Sequence, residues 1–220
     1  MTVIEFNFND DWMGEIGRRL GDLNDKTPDV ISQATNSTAR KARKLIVQSL
    51  REHYAEDAKT KEYNAAMKIA RASRKKYDAT IYIRGKVQNL RRFNVSPKDP
   101  PASGSSRPPT TRAQVLLQGG LKELNKGGIK AFITTFKNGD VVVAQRNGSF
   151  YTYHRPTGGI DRHHEVIDKL WSISIPKMAE SQLDPKTVRG NMRDTIQAIL
   201  VEEIEKQIAR QLAKHGGNAG

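Results

Sequence analysis

Three histidines and two acidic residues lie close together in the sequence and are the first candidates for chemistry. His163, His164 and Glu165 are consecutive, and His154 and Asp161 precede them. Neighbouring side chains point to opposite sides of a strand and diverge on a helix, so His163 and His164 do not readily bind one metal ion together. The spacing of a His-Glu-x-x-His motif is also absent. We therefore predict a solvent-facing loop here, with no metal site and no nuclease centre.

Other catalytic motifs are missing from the sequence as well. There is no Walker motif, and no Gly-x-Gly-x-x-Gly stands between a strand and a helix. Ser172 and Ser174 lack the Gly-x-Ser-x-Gly context of a hydrolase nucleophile. The absence of cysteine excludes disulfides, thiolate catalysis and cysteine-bound zinc. These observations predict a protein that is not an enzyme and that needs no cofactor.

Positive charge is the second chemical feature, and it is unevenly distributed. The net charge is +13, yet the segment from Lys59 to Arg112 alone holds fourteen Lys or Arg against three acids, an excess of eleven. Such segregation indicates a polyanionic neighbour, either nucleic acid or the acidic face of another subunit, although a solvated basic face is the simpler alternative. The candidate residues for contact with DNA or a partner are Arg71, Arg74, Lys75, Lys76, Arg84, Lys86, Arg91, Arg92, Lys98, Arg107 and Arg112.

Within this segment, Arg91-Arg92-Phe93 best matches a nucleic-acid contact. An aromatic ring can stack on a base while neighbouring arginines hold phosphate. No RNP-type strand motif accompanies it, so a sequence-independent contact with phosphates is the stronger version. The alternative is that Phe93 packs inside the protomer and the arginines meet acidic groups on a neighbouring subunit.

The composition predicts a soluble protein with a modest core. Hydrophobic residues make up 36% of the chain, with a mean hydropathy of −0.66, which favours a subunit that buries further surface against neighbours. The segment Met1–Phe6 has no features of a secretory signal. The longest apolar runs, such as Val141–Ala144 and Ala198–Val201, are too short to span a bilayer. We expect synthesis in a cytoplasm and no membrane partner.

The first half of the chain alternates between helical and strand patterns. The alternating pattern of Thr2–Phe8 predicts a strand or an extended arm. The four-residue spacing of Trp12, Ile16 and Leu20 then predicts a short helix that ends near Gly21. Thr27-Pro28 offers an N-cap and a first-turn proline for a long helix to about His53. Its apolar stripe should face the sheet, with Arg40, Lys41, Arg43 and Lys44 near the rim. The following pattern predicts a second helix over 60–75 and a strand at Ala79–Arg84.

The middle of the chain predicts a long basic loop. Five prolines and Ser103-Gly104-Ser105-Ser106 fall within Gly85–Thr111, a composition that disfavours helix and sheet. An insertion of this length inside a domain is typically functional or disordered, and its basic residues favour a function. Gln114–Gln118 then predicts a third strand.

The second half predicts a hairpin and a final helix. Ala131–Phe136 and Val141–Arg146 form two apolar runs joined by Lys137–Asp140, whose Asn-Gly pair accepts the positive φ of a tight turn. Gly119-Gly120 and Lys126-Gly127-Gly128 bracket a turn before it, and Phe150–Tyr153 extends the sheet. Asp184-Pro185 should cap a helix from about Lys186 to Lys214. Its apolar stripe, expected to pack on the sheet or on a neighbouring subunit, comprises Val188, Met192, Ile196, Ile199, Ile204, Ile208 and Leu212.

The phrase AFITTFKNGDVVVAQR (Ala131–Arg146), followed by KLWSISIPKM (Lys169–Met178), resembles the minor tail protein Z family of tailed phages. In that family a Gly-rich lead-in precedes a hairpin, and a short connector then ends in a Ser-x-Pro-x-Met-like turn, here at Pro176. The resemblance covers about Ile31 to Leu183. The chain departs from the family where Gly-Pro-Ser is frequent, since it has Trp171–Pro176 instead.

The resemblance implies a structural virion protein that acts late in tail assembly. It implies a tail-completion subunit in a ring, six-fold by the symmetry of the tail, at the head-proximal end, where it supports head–tail joining and DNA passage. Expected partners are further copies of the chain, the tail terminator, head-completion and tape-measure proteins, and phage DNA held without sequence specificity. The expected location is the virion neck, and the host cytoplasm during assembly. The alternative is a free, nonspecific nucleic-acid-binding protein.

The predicted fold class is α+β, with a small antiparallel sheet packed with long helices and a long basic Pro/Gly-rich insertion loop. We expect three parts. Residues 1–26 form an N-terminal arm and short helix. Residues 27–183 form the core with its insertion at 85–112, and residues 184–220 form the C-terminal helix and a flexible tail.

Overall fold

The computed structural model describes residues 1–6, 10–57, 59–102, 109–153, 162–183 and 192–216. The chain divides into two compact units. Unit 1 comprises Met1–Leu50, Lys59–Lys86 and Ile175–Gly220, and unit 2 comprises Arg51–Ala58 and Val87–Ser174. Helices and small antiparallel sheets are both present, which confirms the α+β class. None of the helices in the described ranges is long and apolar enough to cross a membrane.

The helices and strands have the following bounds in chain order. They are β1 (Thr2–Phe6), α1 (Asp10–Leu20), α2 (Thr27–His53), α3 (Thr60–Ala66), β2 (Met67–Ala70), β3 (Ala79–Ile83), β4 (Val87–Asn89), β5 (Asn94–Ser96), β6 (Arg112–Gln114), β7 (Lys122–Glu123), β8 (Asn125–Lys126), β9 (Ile129–Lys130), β10 (Phe132–Thr135), β11 (Val141–Tyr153), β12 (Arg162–Lys169), β13 (Trp171–Ser174), α4 (Ile175–Leu183) and α5 (Met192–Gly216). Short 3₁₀ turns lie at Gly21–Lys26, Leu90–Arg92 and Leu117–Gly119.

The sheet of unit 1 has three antiparallel strands in the order β1-β3-β2. Ile81 of the central strand lies opposite Ile4 on one side and Ile69 on the other. Ile81 and Ile83 are fully buried, as expected for a central strand with a packed face. The strands predicted at Thr2–Phe8 and Ala79–Arg84 are therefore confirmed as β1 and β3. Phe8 lies outside the described residues.

The helix predicted over 60–75 is wrong beyond Ala66. The chain leaves the helix at Met67, which has extended φ and ψ angles, and continues as β2. Met67 and Ile69 lie opposite Ile83 and Ile81 of β3. The alternating apolar pattern of a strand therefore describes these residues, and the helical pattern does not. Pairing with β3 supplies backbone hydrogen bonds and apolar contacts that a short exposed helix lacks, and these outweigh helix propensity.

The helices of unit 1 form their own apolar core. It joins α1, α2 and α5 through the buried side chains Ile16, Leu20, Val30, Ile31, Ala34, Leu200, Ile204 and Ile208. Ile204 and Ile208 of the predicted α5 stripe thus pack on helices, and the expectation that the stripe covers the sheet or a neighbouring subunit is wrong for these two residues. Leu212 is 41% exposed and stays outside this core. The predicted cap at Asp184-Pro185 and Val188 lie outside the described residues.

Two helix ends in unit 1 are set by different local chemistry. Gly21 has φ +56° at the end of α1, a conformation that glycine adopts without strain. Thr27, by contrast, is not an N-cap, because it has helical φ and ψ angles and comes directly after a 3₁₀ turn. Its hydroxyl donates instead to Oδ1 of Asn24 at 3.0 Å.

A buried carboxylate lies between α5 and α2. Oε1 of Glu203 is 2.7 Å from Nζ of Lys41, and the Glu203 side chain is 2% exposed. Burial opposes ionisation of Glu203, but hydrogen bonding to Lys41 and Ser37 and the charge of Lys41 outweigh it, so the pKa of Glu203 is lowered. The same contact raises the pKa of Lys41. Lys41, assigned to the helix rim from the sequence, therefore joins two helices.

Unit 2 contains the predicted hairpin in a three-stranded antiparallel sheet, ordered β10-β11-β12. The backbone N–H of Gly139 donates to Phe136 O, and the N–H of Phe136 donates to Asp140 O. Gly139 has φ +85°, while Asn138 has a negative φ and accepts a side-chain hydrogen bond from the Asp140 N–H. The hairpin is confirmed, but it closes with one glycine at positive φ rather than two residues.

Short strands replace much of the predicted insertion loop. Between Gly85 and Arg112 the chain forms β4, a 3₁₀ turn and β5, and β5 pairs with β6. Phe93 and Val95 are buried and hold this segment in unit 2, and the five prolines of the region all follow β5 in the sequence. The predicted structureless loop is therefore wrong for residues 87–96. Residues 97–102 and 109–111 form no helix or strand, and residues 103–108 lie outside the described ranges.

Three further predictions need correction in unit 2 and in α4. The third strand is β6, earlier than Gln114–Gln118, because the chain turns into a 3₁₀ segment at Leu117. The segment around His163 and His164 is a strand rather than a loop, since it pairs with β11. Pro176 was predicted in a chain reversal between elements, but it lies in the first helical turn of α4. Proline is tolerated there because this position needs no backbone N–H donor. The threefold division of the chain at residues 26 and 183 stays a prediction.

Candidate interaction surfaces

Four of the predicted contact residues lie on one loop between β2 and β3, here called the basic loop (Arg71–Asp78). Asn36 of α2 holds this loop through two hydrogen bonds with Ala72. Its Nδ2 donates to Ala72 O at 3.0 Å, and its Oδ1 accepts from Ala72 N at 2.9 Å. Within the loop, Ser73 and Lys76 exchange backbone hydrogen bonds of 2.6 and 3.2 Å. These hydrogen bonds give the backbone of the loop a defined conformation and attach it to α2.

The basic loop presents a concentrated positive charge. The side chains of Arg71, Arg74, Lys75 and Lys76 are all exposed. Nε of Arg74 is 2.9 Å from Oδ1 of Asp29, so part of its charge is neutralised within the unit. Arg71, Lys75 and Lys76 form no ion pair with the described residues, which leaves three cations directed to solvent or to a partner.

Sequence reasoning missed one residue of this surface. Arg40 is exposed and lies one helical turn after Asn36, so it shares the face of α2 that holds the basic loop. Arg40 could have been predicted from its i, i+4 spacing to Asn36, but only if it were known that Asn36 binds the basic loop. The contact between Asn36 and the loop is a tertiary contact, which the local sequence does not reveal.

Arg84 and Lys86 do not join the basic loop. They come after β3 at its far end, whereas the loop precedes it, so the backbone separation is about 17 Å along the strand. Both side chains are exposed. The guanidinium carbon of Arg84 lies 6.0 Å from the centre of the Tyr82 ring, at the outer limit of a cation–π contact. Unit 1 thus has two cationic sites separated by a strand.

In unit 2, the Arg91-Arg92-Phe93 motif is folded inward. Phe93 is 4% exposed and cannot stack on a base without leaving the core, so the stacking prediction is wrong. Nη2 of Arg91 lies 3.3 Å from Oδ1 of Asp99. Nε of Arg92 is 3.3 Å from Oε1 of Glu56, whose side chain is 0% exposed. The alternative prediction is confirmed for Phe93, and the arginines meet acidic groups of their own chain.

The remaining basic candidates of unit 2 are scattered. Lys98 is exposed, and its carbonyl accepts a hydrogen bond from Nε of Arg91 at 3.3 Å. Arg112 is exposed in β6, where it lies opposite Ser96 on one side and Glu123 on the other. Arg107 lies outside the described residues. These positions give unit 2 a weaker cationic surface than the basic loop gives unit 1.

Unit 2 also presents an exposed aromatic segment, for which the sequence predicted only an extension of the sheet. We call it the aromatic ribbon, and it consists of Phe150–Tyr153 paired with Arg162–Glu165. Phe150 is 67% exposed and Tyr151 is 53% exposed. The ring of Tyr151 stacks on that of His164, with centroids 5.5 Å apart. An exposed patch of this kind is typical of a surface that contacts another macromolecule.

The histidines of the ribbon do not form a metal site with the residues that the structure describes. His163 lies opposite Thr152 and His164 lies opposite Tyr151 on the paired strand, and Nδ1 of His163 shares a hydrogen bond of 3.0 Å with the Thr152 hydroxyl. Among the described ranges, no group of three or more potential metal ligands comes together. His154 and Asp161 lie outside those ranges.

The fold and these surfaces define a small basic α+β protein with exposed cationic and aromatic segments. The chain belongs to the family described as prophage minor tail protein Z (GPZ), whose model matches residues 16–215. By its family it is a structural protein of the phage tail. The match is wider at both ends than the resemblance seen in the sequence, and it includes part of α1 and nearly all of α5. No curated protein and no solved structure matches the chain.

Proposed function

We propose that this protein is a tail-completion subunit that forms a ring at the head-proximal end of the phage tail and supports head–tail joining and DNA passage. The observation that carries the proposal is the exposed positive charge of the basic loop in a member of a tail-protein family. A ring around a DNA conduit gives such a loop a physical role, because cations near the axis attract phosphates without reading sequence.

The way in which the loop is held supports this role. Asn36 fastens the backbone of Ala72 to α2, so the loop does not have to be ordered when a polyanion approaches. The three cations that form no ion pair with described residues, Arg71, Lys75 and Lys76, are the ones we assign to this contact. The partner is DNA or the end of another tail protein, and both are outcomes of the experiment below.

The test uses two charge-reversal variants of equal net charge. One carries Arg71→Glu, Lys75→Glu and Lys76→Glu in the basic loop. The matched control carries Lys122→Glu, Lys126→Glu and Lys137→Glu, which are three exposed lysines of unit 2. Each replaces the native protein during phage production, and the purified particles are analysed by mass spectrometry, electron microscopy and plaque assay.

We expect both variants to be incorporated at a few copies per particle. The basic-loop variant should lose infectivity or accumulate unjoined heads and tails, whereas the control should stay near the native titre. Equal titres for the two variants would contradict the proposed role of the basic loop. Absence of the native protein from every particle would remove the tail-completion function itself.

The second candidate function is nonspecific nucleic-acid binding by the free protein, for which the net charge of +13 is the supporting observation. A free binder should hold duplex DNA alone, with affinity falling by about 0.9 log units per neutralised phosphate for each tenfold rise in salt. Pairing of Arg74, Arg91 and Arg92 with acidic groups reduces the charge available for this activity. The tail subunit is therefore the better-supported proposal.

A further inference from the structure

The outer part of the β11–β12 hairpin has no third strand in the described structure. Strand β10 pairs with β11 only from Val141 to Ala144, whereas β11 continues to Tyr153. Beyond that point β11 pairs with β12 alone among the described residues. A two-stranded ribbon is marginally stable by itself in water, and this one exposes Phe150 and Tyr151. Its composition therefore indicates a binding partner.

An irregularity in β11 separates the ribbon from the three-stranded part of the sheet. Arg146 pairs with Ile167 and Phe150 pairs with Glu165, so three residues of β11 stand opposite one residue of β12. Gly148 has φ +80° within this bulge, and the Asn147 side chain accepts a hydrogen bond from Ser149 N. Bulges of this kind bend a strand and redirect the residues beyond them. Phe150 and Tyr151 come directly after the bulge.

The chemistry of the ribbon fits a protein surface better than a polyanion. Nη1 of Arg146, which precedes the ribbon, binds Oε2 of Glu165 at 2.5 Å, so this cation is already paired. Nδ2 of Asn147 donates to Asp168 at 3.1 Å. The surface that remains exposed is mainly aromatic, and aromatic residues are enriched at protein–protein interfaces.

The same chain presents a matching receptor in unit 1. Strand β1 pairs with β3 on one side, and the described structure places no strand on its other side. All five residues of β1 line a groove of about 600 Å³. The opposite wall belongs to α4 and α5 and includes Leu183, Ile196 and Leu200, with Glu180 and Arg193 as polar members. Val3 on β1 is 42% exposed.

We propose that the aromatic ribbon of one copy adds as a strand to the free edge of β1 on the next copy, with one of its aromatic side chains entering the groove. Strand addition satisfies the unpaired backbone groups of both edges, and the groove receives the side chain that water would otherwise surround. The two edges are similar in length, four residues in the ribbon and five in β1.

A second copy is the occupant that the observations favour, because donor and receptor lie on the same polypeptide and differ from each other. A contact between two different patches of identical subunits is heterologous, and it produces a closed ring when the rotation between subunits closes. The inference rests on the proposed function in this respect, since a ring requires a heterologous contact. It adds the two surfaces that form it.

The absence of cysteine allows a direct test by cross-linking. Val3→Cys and Thr152→Cys are introduced together into the full chain, so that Phe150 and Tyr151 are kept, and this chain replaces the native protein in phage particles. The particles are treated with a short bifunctional maleimide. The matched control combines Val3→Cys with Leu121→Cys, which places the second thiol at another exposed residue of unit 2. The bifunctional reagent tolerates an error of a residue or two in strand register.

We expect the Val3–Thr152 pair to yield a ladder of covalent multimers, in excess of the control by on the order of tenfold, because docking holds the two thiols at high local concentration. Peptide mapping should identify the two linked residues, and the size of the multimers shows that the links join different chains. Equal yields from the two variants would overturn the inference. Mass spectrometry of the same particles separates this failure from failure of the proposed function, since only the latter removes the protein from the particles.

A second variant tests the aromatic side chains without cysteine chemistry. Phe150→Ser combined with Tyr151→Ser should abolish incorporation into particles while circular dichroism stays native, because the changes lie on an exposed ribbon. Trp171→Ser is the control, since Trp171 is 55% exposed in the same unit but lies on β13. Normal incorporation of the double variant would contradict the proposed contact.

Discussion

Replacement of Lys41 by methionine should reveal how strongly the ion pair between α2 and α5 stabilises unit 1. Nζ of Lys41 is 2.7 Å from Oε1 of Glu203 and 3.6 Å from Oε1 of Glu202. The Glu203 side chain is 2% exposed, while that of Lys41 is 41% exposed. Methionine keeps an apolar stem of similar size and removes the charge. It leaves the buried carboxylate without its nearest cation.

The expected loss at neutral pH lies between two limits. Exposed ion pairs contribute up to about 1 kcal/mol, and removal of one partner from a fully buried pair costs about 3–5 kcal/mol. Water reaches the ammonium of this pair but not the carboxylate, so we expect the free energy of unfolding to fall by about 2 kcal/mol. For a protein of this size, this corresponds to a decrease in Tm of about 4–8 °C.

The pH dependence gives a sharper test than the magnitude. In the native protein the pKa of Glu203 is lowered, so the stabilisation is present above the unfolded value, about 4.3, and is lost as pH falls through the folded value. Without Lys41, burial dominates and raises the pKa of Glu203. The folded variant then takes up a proton before the unfolded chain does. The variant should therefore approach the native stability as pH falls from neutrality.

Urea denaturation at several pH values between about 5 and 7.5 measures this difference directly. Lys44→Met is the matched control, because Lys44 is exposed on the same helix, and it should change stability by less than about 0.5 kcal/mol. Adding Glu203→Gln to Lys41→Met should remove the pH dependence of the difference. A constant gap between Lys41→Met and the native protein across this range would refute the reasoning.

Two further predictions concern loops. Asn36→Ala removes both hydrogen bonds to Ala72, so amide exchange in residues 71–78 should accelerate by an amount equivalent to about 1–2 kcal/mol while exchange in α5 stays unchanged, as hydrogen-exchange mass spectrometry can resolve. Gly139→Ala introduces a side chain at φ +85°, where nothing lies within 4 Å of the added carbon, so the cost is conformational. We expect a loss of about 1–2 kcal/mol in thermal or urea unfolding, and a native-like value would contradict the turn geometry.

Local patterns predicted the elements whose neighbours in the sequence are also their partners in space. The hairpin from β10 to β11 and the long helix α2 were found because turn chemistry and helical spacing act over a few residues. The error at Met67 has the opposite origin. Tyr63, Met67 and Ala70 fit a helical stripe, but Met67 and Ile69 also fit alternation, and only the pairing with β3 selects between them. That partner lies beyond the local window.

The prediction for the region from Gly85 to Arg112 failed for a related reason. Its prolines and serines resemble a linker, and the average composition concealed the short apolar anchors Leu90, Phe93 and Val95, all of which are buried. Three such residues are enough to order strands of three residues when a partner strand such as β6 is present. Composition describes a whole segment, whereas burial is decided at single positions.

The candidate surface shows the same limit in its electrostatics. The sequence located the excess of positive charge but not the acidic groups that neutralise it, because Asp29 lies far from Arg74 in the chain and Glu56 lies far from Arg92. Pairing with the buried carboxylate of Glu56 neutralises part of the charge of Arg92 within unit 2. Charge counted along the sequence therefore overstates the charge that a partner meets.

The separation of paired from unpaired cations narrows the choice of residues that meet DNA or a neighbouring tail protein. A guanidinium already bound to a carboxylate must give up that contact before it gains a phosphate, so the net gain in binding free energy is small. Arg71, Lys75 and Lys76 form no ion pair with the described residues and sit on a loop that Asn36 fastens in place. The functional charge of this protein should therefore reside in unit 1, and the aromatic ribbon of unit 2 should serve assembly.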